Sequence, residues 1–166
     1  MRLKAMAKIN LGLDVLGKRE DGYHEVRMIM QTIRMYDILD IRKTRRPGIV
    51  LTTNLPFIPT DQRNLVYKAA QMLMEEFDVE EGLSIKLRKF IPVAAGMAGG
   101  SSDAAAAFVG VNRMFHLGLT EEQLMERAVK VGADVPYCIM RGTALAEGIG
   151  EKLTRLPEVP KCYVLI

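Results

Sequence analysis

The segment PVAAGMAGGSS, residues 92–102, carries the residue types that a phosphate site needs. Gly96, Gly99 and Gly100 let backbone approach a ligand without β-carbons in the way. Ser101 and Ser102 add hydroxyl donors. An Ala-rich stretch follows and reads as a helix to about Phe115. The first amides of a helix have no internal partners, and its dipole favours an anion there. The segment lacks the Lys-Ser or Lys-Thr pair of a Walker loop, and Ala98 stands where a GxGxxG pattern starting at Gly96 needs glycine. On glycine content alone it reads equally well as a plain helix cap after a flexible turn. Asp103 comes next, a negative charge that either caps the helix or faces away from a bound anion.

Other polar residues have two readings each. Lys8 is a strand lysine facing solvent, and Asp134 in GADVP is a loop acid capping free amides. Asn64 starts a helix and reads as its cap. Tyr23 and His24 cover a turn. Lys89 falls in phase with the apolar Leu83, Ile85 and Leu87, so it is either a snorkelling strand-end lysine or a nucleotide contact.

PVAAGMAGGSSDAAA resembles the phosphate-binding motif of the galactokinase, homoserine kinase, mevalonate kinase and phosphomevalonate kinase superfamily, with Met97 for the usual Leu and Ala98 for a frequent Gly. AKINLGLDVLGKREDGYHEV near the start and LGLTEEQLMERAVKVGADVPYCIMRGTALAEGIGE later are similar to the diphosphocytidyl-methylerythritol kinases in particular. The three stretches reach across nearly the whole chain in the order those kinases show. The resemblance implies phosphorylation, by ATP, of the 2-hydroxyl of 4-diphosphocytidyl-2-C-methyl-D-erythritol, a step in non-mevalonate isoprenoid synthesis. It makes Asp134 the catalytic carboxylate and Lys8 its cationic partner. ATP would be held by Pro92, Val93, Ala94, Ala95, Gly96, Met97, Ala98, Gly99, Gly100, Ser101 and Ser102, with Lys89 and Asn64 as further contacts. Tyr23 and His24 would hold cytidine, and Asn10 would orient the substrate. Mg²⁺ should accompany ATP, with no protein ligand named. The chemistry suits the pair, since transfer to an alcohol needs a proton acceptor and positive charge near the moving oxygens.

The elements that must position these groups are legible as periods. From Leu3 to Val15 the odd positions are all apolar, which predicts one long strand or two end to end, with Lys8 and Asn10 on the opposite face. Asp21-Gly22 marks a turn. VRMIMQTIRM, DILDIRK, IVLTT, LSIKLRKFI, TALAEGIGEKL and CYVLI read as strands. Residues 64–77 form an apolar face at helical spacing. Thr120 with Gln123 is a capping box, and Gly132 ends that helix. Val135 precedes proline and is expected to be extended. The result is an α+β fold, a mixed sheet with helices packed on it, and the resemblance implies an amino-terminal kinase domain like domain 2 of ribosomal protein S5. Residues 1–160 read as that domain, and 161–166 as the first strand of a following one that the family's greater length implies.

The chain has 166 residues, enough for one core, and an ordinary composition of 49% hydrophobic and 26% charged residues. A net charge of +3 without basic clustering argues against a nucleic-acid partner, including the RNA-binding module that this fold also serves. Cys138 and Cys162 lack metal-like spacing and suit a reducing cytoplasm. No signal peptide or apolar span long enough for a bilayer is evident; the resemblance implies, as partner, a small molecule bearing a cytidine diphosphate group. The rival substrates are homoserine or a mevalonate-like alcohol, against which Tyr23-His24 argues.

Overall fold

A computed structural model describes residues 1–20 and 22–166. Among these described residues six strands, β1 (Arg2–Lys18), β2 (His24–Thr44), β3 (Ile49–Thr53), β4 (Gly82–Arg88), β5 (Thr143–Gly148) and β6 (Lys152–Arg155), form one mixed sheet. Four helices accompany them, α1 (Leu65–Glu76), α2 (Gly99–Phe115), α3 (Glu121–Ala128) and α4 (Val135–Met140). The α+β class follows, with only the β3–β4 pair parallel among these ladders.

The two strand-like runs expected over residues 26–43 are one continuous strand, and β2 is the spine of the sheet. β1 runs antiparallel along one edge, from Arg2↔Asp40 to Lys18↔His24. The other edge is shared by β4, paired from Ile38 to Thr44, and β5, paired from Val26 to Gln31. Between these two ladders, residues 32–37 of β2 are left for other partners, and the candidate site is built there.

α2 lies on the sheet because its face is small. A β-carbon at Gly110 would stand 2.5 Å from Ile41 Cδ1 and 2.7 Å from Leu3 Cδ1. Ala104 to Phe108 are buried beside Leu39 and Ile41 in the main core. α1 is capped by the Asn64 side chain, which accepts from Val66 N at 2.9 Å. The Thr120–Gln123 capping box forms as expected, although α3 ends at Ala128 and turns reach Gly132.

Several expectations are corrected. Only the first half of β1 has a buried face: Ala5 and Ala7 are buried, whereas Leu11, Leu13 and Val15 are exposed on a ribbon that extends with β2 beyond the core. Alternation also breaks at a register shift between Met6 and Lys8, so Ala7 and Lys8 are both buried. Val135 begins α4 instead of an extended segment, because Pro136 in the first turn gives up an amide that would be unpaired anyway. Residues 162–166 form no strand, since no sheet edge within the chain takes them up. Asp21, half of the expected turn, lies outside the described residues.

Candidate active site

Residues 92–101 of the Gly-rich segment line a cleft of about 420 Å³ together with Asn64, Leu65, Lys89 and Asp134. The expected contact at Ser102 is corrected, because its side chain is buried and its hydroxyl donates to Ala98 O at 3.2 Å, closing the first turn of α2. Positive φ recurs at every second residue, at Ala94 (59°), Gly96 (73°) and Ala98 (53°). Such kinked backbone turns successive amides inward, as anion-binding concavities do. Ala98 is the N-cap of α2 and makes no side-chain cap hydrogen bond. The opening residues of the helix, Gly99 to Ser101, line the cleft with no side chain capping their amides. Gly99 is tightly packed: a β-carbon there would stand 3.1 Å from both Lys89 Nζ and Ile91 Cγ2, closer than most side-chain contacts.

Ala98 in the left-handed region carries strain of about 1–2 kcal/mol for an L-residue. Ala98→Gly removes it, less the added freedom of the unfolded chain and a lost methyl contact, so a net stabilisation of about 0.5–1 kcal/mol is expected in urea titration. A lower midpoint would show that the methyl contact outweighs the backbone.

The loop is tied to β1 by a hydrogen bond from Lys8 N to Met97 O, 3.1 Å. Beneath it Ala7, Ile91 and Met97 form a small second core with Ile33 and Met35. This places Lys8 beside the loop. Its side chain is only 6% exposed, which overturns the reading of a solvent-facing lysine. Lys8 Nζ donates to Asn10 Oδ1 at 3.1 Å and stands 3.7 Å from Asp134 Oδ2. Asp134 is the N-cap of α4, makes no side-chain cap bond and stays about a third exposed at the cleft. It is thus not spent on capping, as a plain loop acid would be.

α4 is pinned to β2 directly opposite Lys8, whose cross-strand partner is Thr32. Tyr137 Oη donates to Gly142 O at 2.7 Å and lies 3.1 Å from Thr32 Oγ1. Gly142 N donates to Thr32 Oγ1, and Thr32 N to Gly142 O. Burial pushes the Tyr137 phenol up to about 12, so it stays a donor. The same burial, more severe, drives the Cys138 thiol upward and keeps it unreactive.

Lys89 is neither snorkelling nor free. Its head is buried between Asp37 of β2 and Asp103 of α2, 2.6 Å from Asp103 Oδ2. Asp37 Oδ1 also accepts from the amides of Phe90 and Ile91, at 2.5 and 2.8 Å. Asn54 exchanges two bonds with the Lys89 backbone. Asp37 and Asn54 were invisible to sequence reading, apart from the polar break that Asp37 makes before the run ILDI.

Asn64 both caps α1 and lines the cleft, with its amide donating to Pro59 O at 2.7 Å. Tyr23 and His24 are not among the cleft-lining residues. They sit at the far end of the ribbon, ten positions along β1 from Lys8, roughly 30 Å if the strands ran straight. Register shifts at Asn10/Gly12 and Val15/Gly17 bend it. The structure therefore brings together Lys8, Asn10, Asp134 and the Gly-rich segment, and leaves Tyr23 and His24 apart.

Residues 64–142 match the model of the GHMP kinases N terminal domain. The chain is 57% identical over 166 residues to the 4-diphosphocytidyl-2-C-methyl-D-erythritol kinase of Lachnospira eligens, covering 100% of this chain and 58% of that one. It is 58% identical over 164 residues to the enzyme of the same name from Lachnoclostridium phytofermentans, covering 99% and 56%. The chain thus spans little more than half the length of these curated relatives. Among solved structures, a 4-(cytidine 5'-diphospho)-2C-methyl-D-erythritol kinase superposes with a TM-score of 0.82 at 35% identity, over 94% of this chain and 55% of that one. The mevalonate kinase of Methanococcus jannaschii shares the fold, with a TM-score of 0.72 at 16% identity, over 95% and 56%.

Proposed function

From the match of residues 64–142 to the GHMP kinases N terminal domain, we propose that this chain is a GHMP kinase that binds ATP over the α2 amino terminus and phosphorylates the 2-hydroxyl of 4-diphosphocytidyl-2-C-methyl-D-erythritol. The observation that carries this reading is the meeting of two parts at one cleft: open helix amides for phosphate, and a Lys8–Asp134 pair 3.7 Å apart beside them. Asp134 accepts and orients the substrate hydroxyl. Lys8, with Asn10 beside it, steadies charge on the transferred oxygens. Most of the acceleration then comes from positioning.

Among the described residues no group of three His, Cys, Asp or Glu side chains is placed to hold a metal ion. Mg²⁺ would be held here by the nucleotide phosphates, whose charge it would neutralise. The cytidine end is assigned to Tyr23 and His24, which requires the substrate, or closure of the ribbon, to span the distance from Lys8. No helix among the described residues is long and apolar enough to cross a membrane.

Titration calorimetry with a non-hydrolysable ATP analogue and with a cytidine diphosphate ligand tests both ends. Saturable binding of the analogue is expected, and its absence would remove the nucleotide reading. His24→Ala should weaken the cytidine ligand by about 1–3 kcal/mol, the cost of a lost buried hydrogen bond, and leave the analogue unchanged. Equal weakening of both ligands would make the ribbon tip structural.

A further inference from the structure

Behind the proposed phosphate site lies a cluster whose charges do not balance. One ammonium, Lys89, faces two carboxyl groups, Asp37 and Asp103, and all three side chains are at least nine-tenths buried. The two acids are not equivalent. Asp37 is met by donors on both oxygens, namely Lys89 Nζ and the amides of Phe90 and Ile91. Asp103 receives Lys89 on Oδ2 alone, and its Oδ1 is buried with no partner. A full negative charge on such an oxygen is the costly arrangement, whereas a neutral acid leaves only a dipole unsatisfied. Asp103 also stands in the second turn of α2, under the amides assigned to phosphate.

We propose that Asp103 is a positioning residue that stays protonated at neutral pH, so that Asp37, Lys89 and Asp103 form an electrically neutral strut joining β2, the end of β4 and α2 behind the anion site. The part that concerns the anion rests on the ATP reading above; the protonation does not. Protonation resolves why an acid directly follows the two serines: once neutral, it fastens α2 to Lys89 without repelling a polyphosphate.

The charged groups that act on Asp103 directly are Lys89 beyond β4 and Asp37 from β2. Cys138 faces it from α4, itself within reach of Lys8, Asp134 and Arg141, and Asp134 and Arg63 line the same cleft. Burial dominates these and holds the Asp103 carboxyl well above its ordinary range, against the opposing pull of Lys89. The sign for stability follows. The folded form holds this proton when the unfolded form, titrating near pH 4, has lost it. The contribution is full below about pH 4 and is lost as pH rises through the folded value, the reverse of an ordinary salt-bridged acid.

Carbon-13 NMR of the ligand-free 166-residue chain tests this, with the Asp103 carboxyl assigned through its own β-carbon and backbone so that no variant is needed. The resonance is expected at the protonated position at pH 7, and a carboxylate position there would overturn the proposal. As a second readout, Asp103→Asn should flatten the fall in stability above pH 4 relative to the parent; an unchanged pH profile counts against the proposal. With the ATP analogue, Asp103→Asn should change the dissociation constant by no more than about threefold, because one neutral group replaces another. A tenfold tightening would mean that a negative charge had been removed. If the parent binds no analogue at all while the NMR result holds, the ATP reading fails and the neutral strut stands.

Discussion

On the proposed kinase reading, Asp134→Asn is expected to lower turnover by about 10²–10⁴-fold, the range for losing a positioned proton acceptor, and to leave ATP affinity within about twofold. The expectation rests on where the side chain stands. Asp134 reaches the cleft from the cap of α4 and faces Lys8, whereas the amides proposed to bind phosphate belong to α2. Removing its charge therefore leaves the nucleotide seat intact. Asn keeps the shape and one acceptor oxygen, so the variant isolates proton acceptance from packing. Steady-state turnover together with calorimetric ATP affinity separates the two effects. Near-normal turnover would take Asp134 out of the mechanism, and a parallel loss of ATP affinity would mean that the cap of α4 supports the phosphate loop.

The largest stability effect is expected at Lys89. Lys89→Met keeps an unbranched chain of similar length and removes the ammonium from between Asp37 and Asp103. Leaving a buried charge without its partner costs about 3–5 kcal/mol, a large share of the 5–15 kcal/mol that holds a typical domain together. The same change frees the strand end that feeds the Gly-rich segment, so ATP affinity should fall with stability. Adding Asp37→Asn to the methionine variant should recover part of the loss, because the stranded charge is gone while an acceptor for the Phe90 and Ile91 amides remains. Urea unfolding of the single and double variants measures this as a shift in midpoint at constant slope. A single variant as stable as the parent would contradict the buried ion pair.

The sequence alone determined the elements that depend on neighbours along the chain. The helix over residues 65–76 and its Asn64 cap, the Thr120–Gln123 box and the Ala-rich helix after the glycines all rest on contacts within four residues, and periodicity reports such contacts directly. The Gly-rich turn that opens onto α2 was legible for the same reason, since glycine placement and an opening helix are local features.

Tertiary structure decided what depends on pairing across the sheet. Period-2 patterning promised a buried face along all of β1, but a face is buried only where another element covers it, and the ribbon carrying Leu11, Leu13 and Val15 runs past the helices. Patterning also placed Lys8 in solvent, because it cannot register the shift between Met6 and Lys8 that turns the side chain inward toward Asp134. Lys89 was visible as a charge in phase with an apolar strand face, yet its partners lie 52 and 14 residues away, on a strand and a helix that only the fold brings together. A lysine's neighbours across a sheet are set by register, and register is a property of the whole β2 spine, fixed by β1 on one edge and by β4 and β5 on the other.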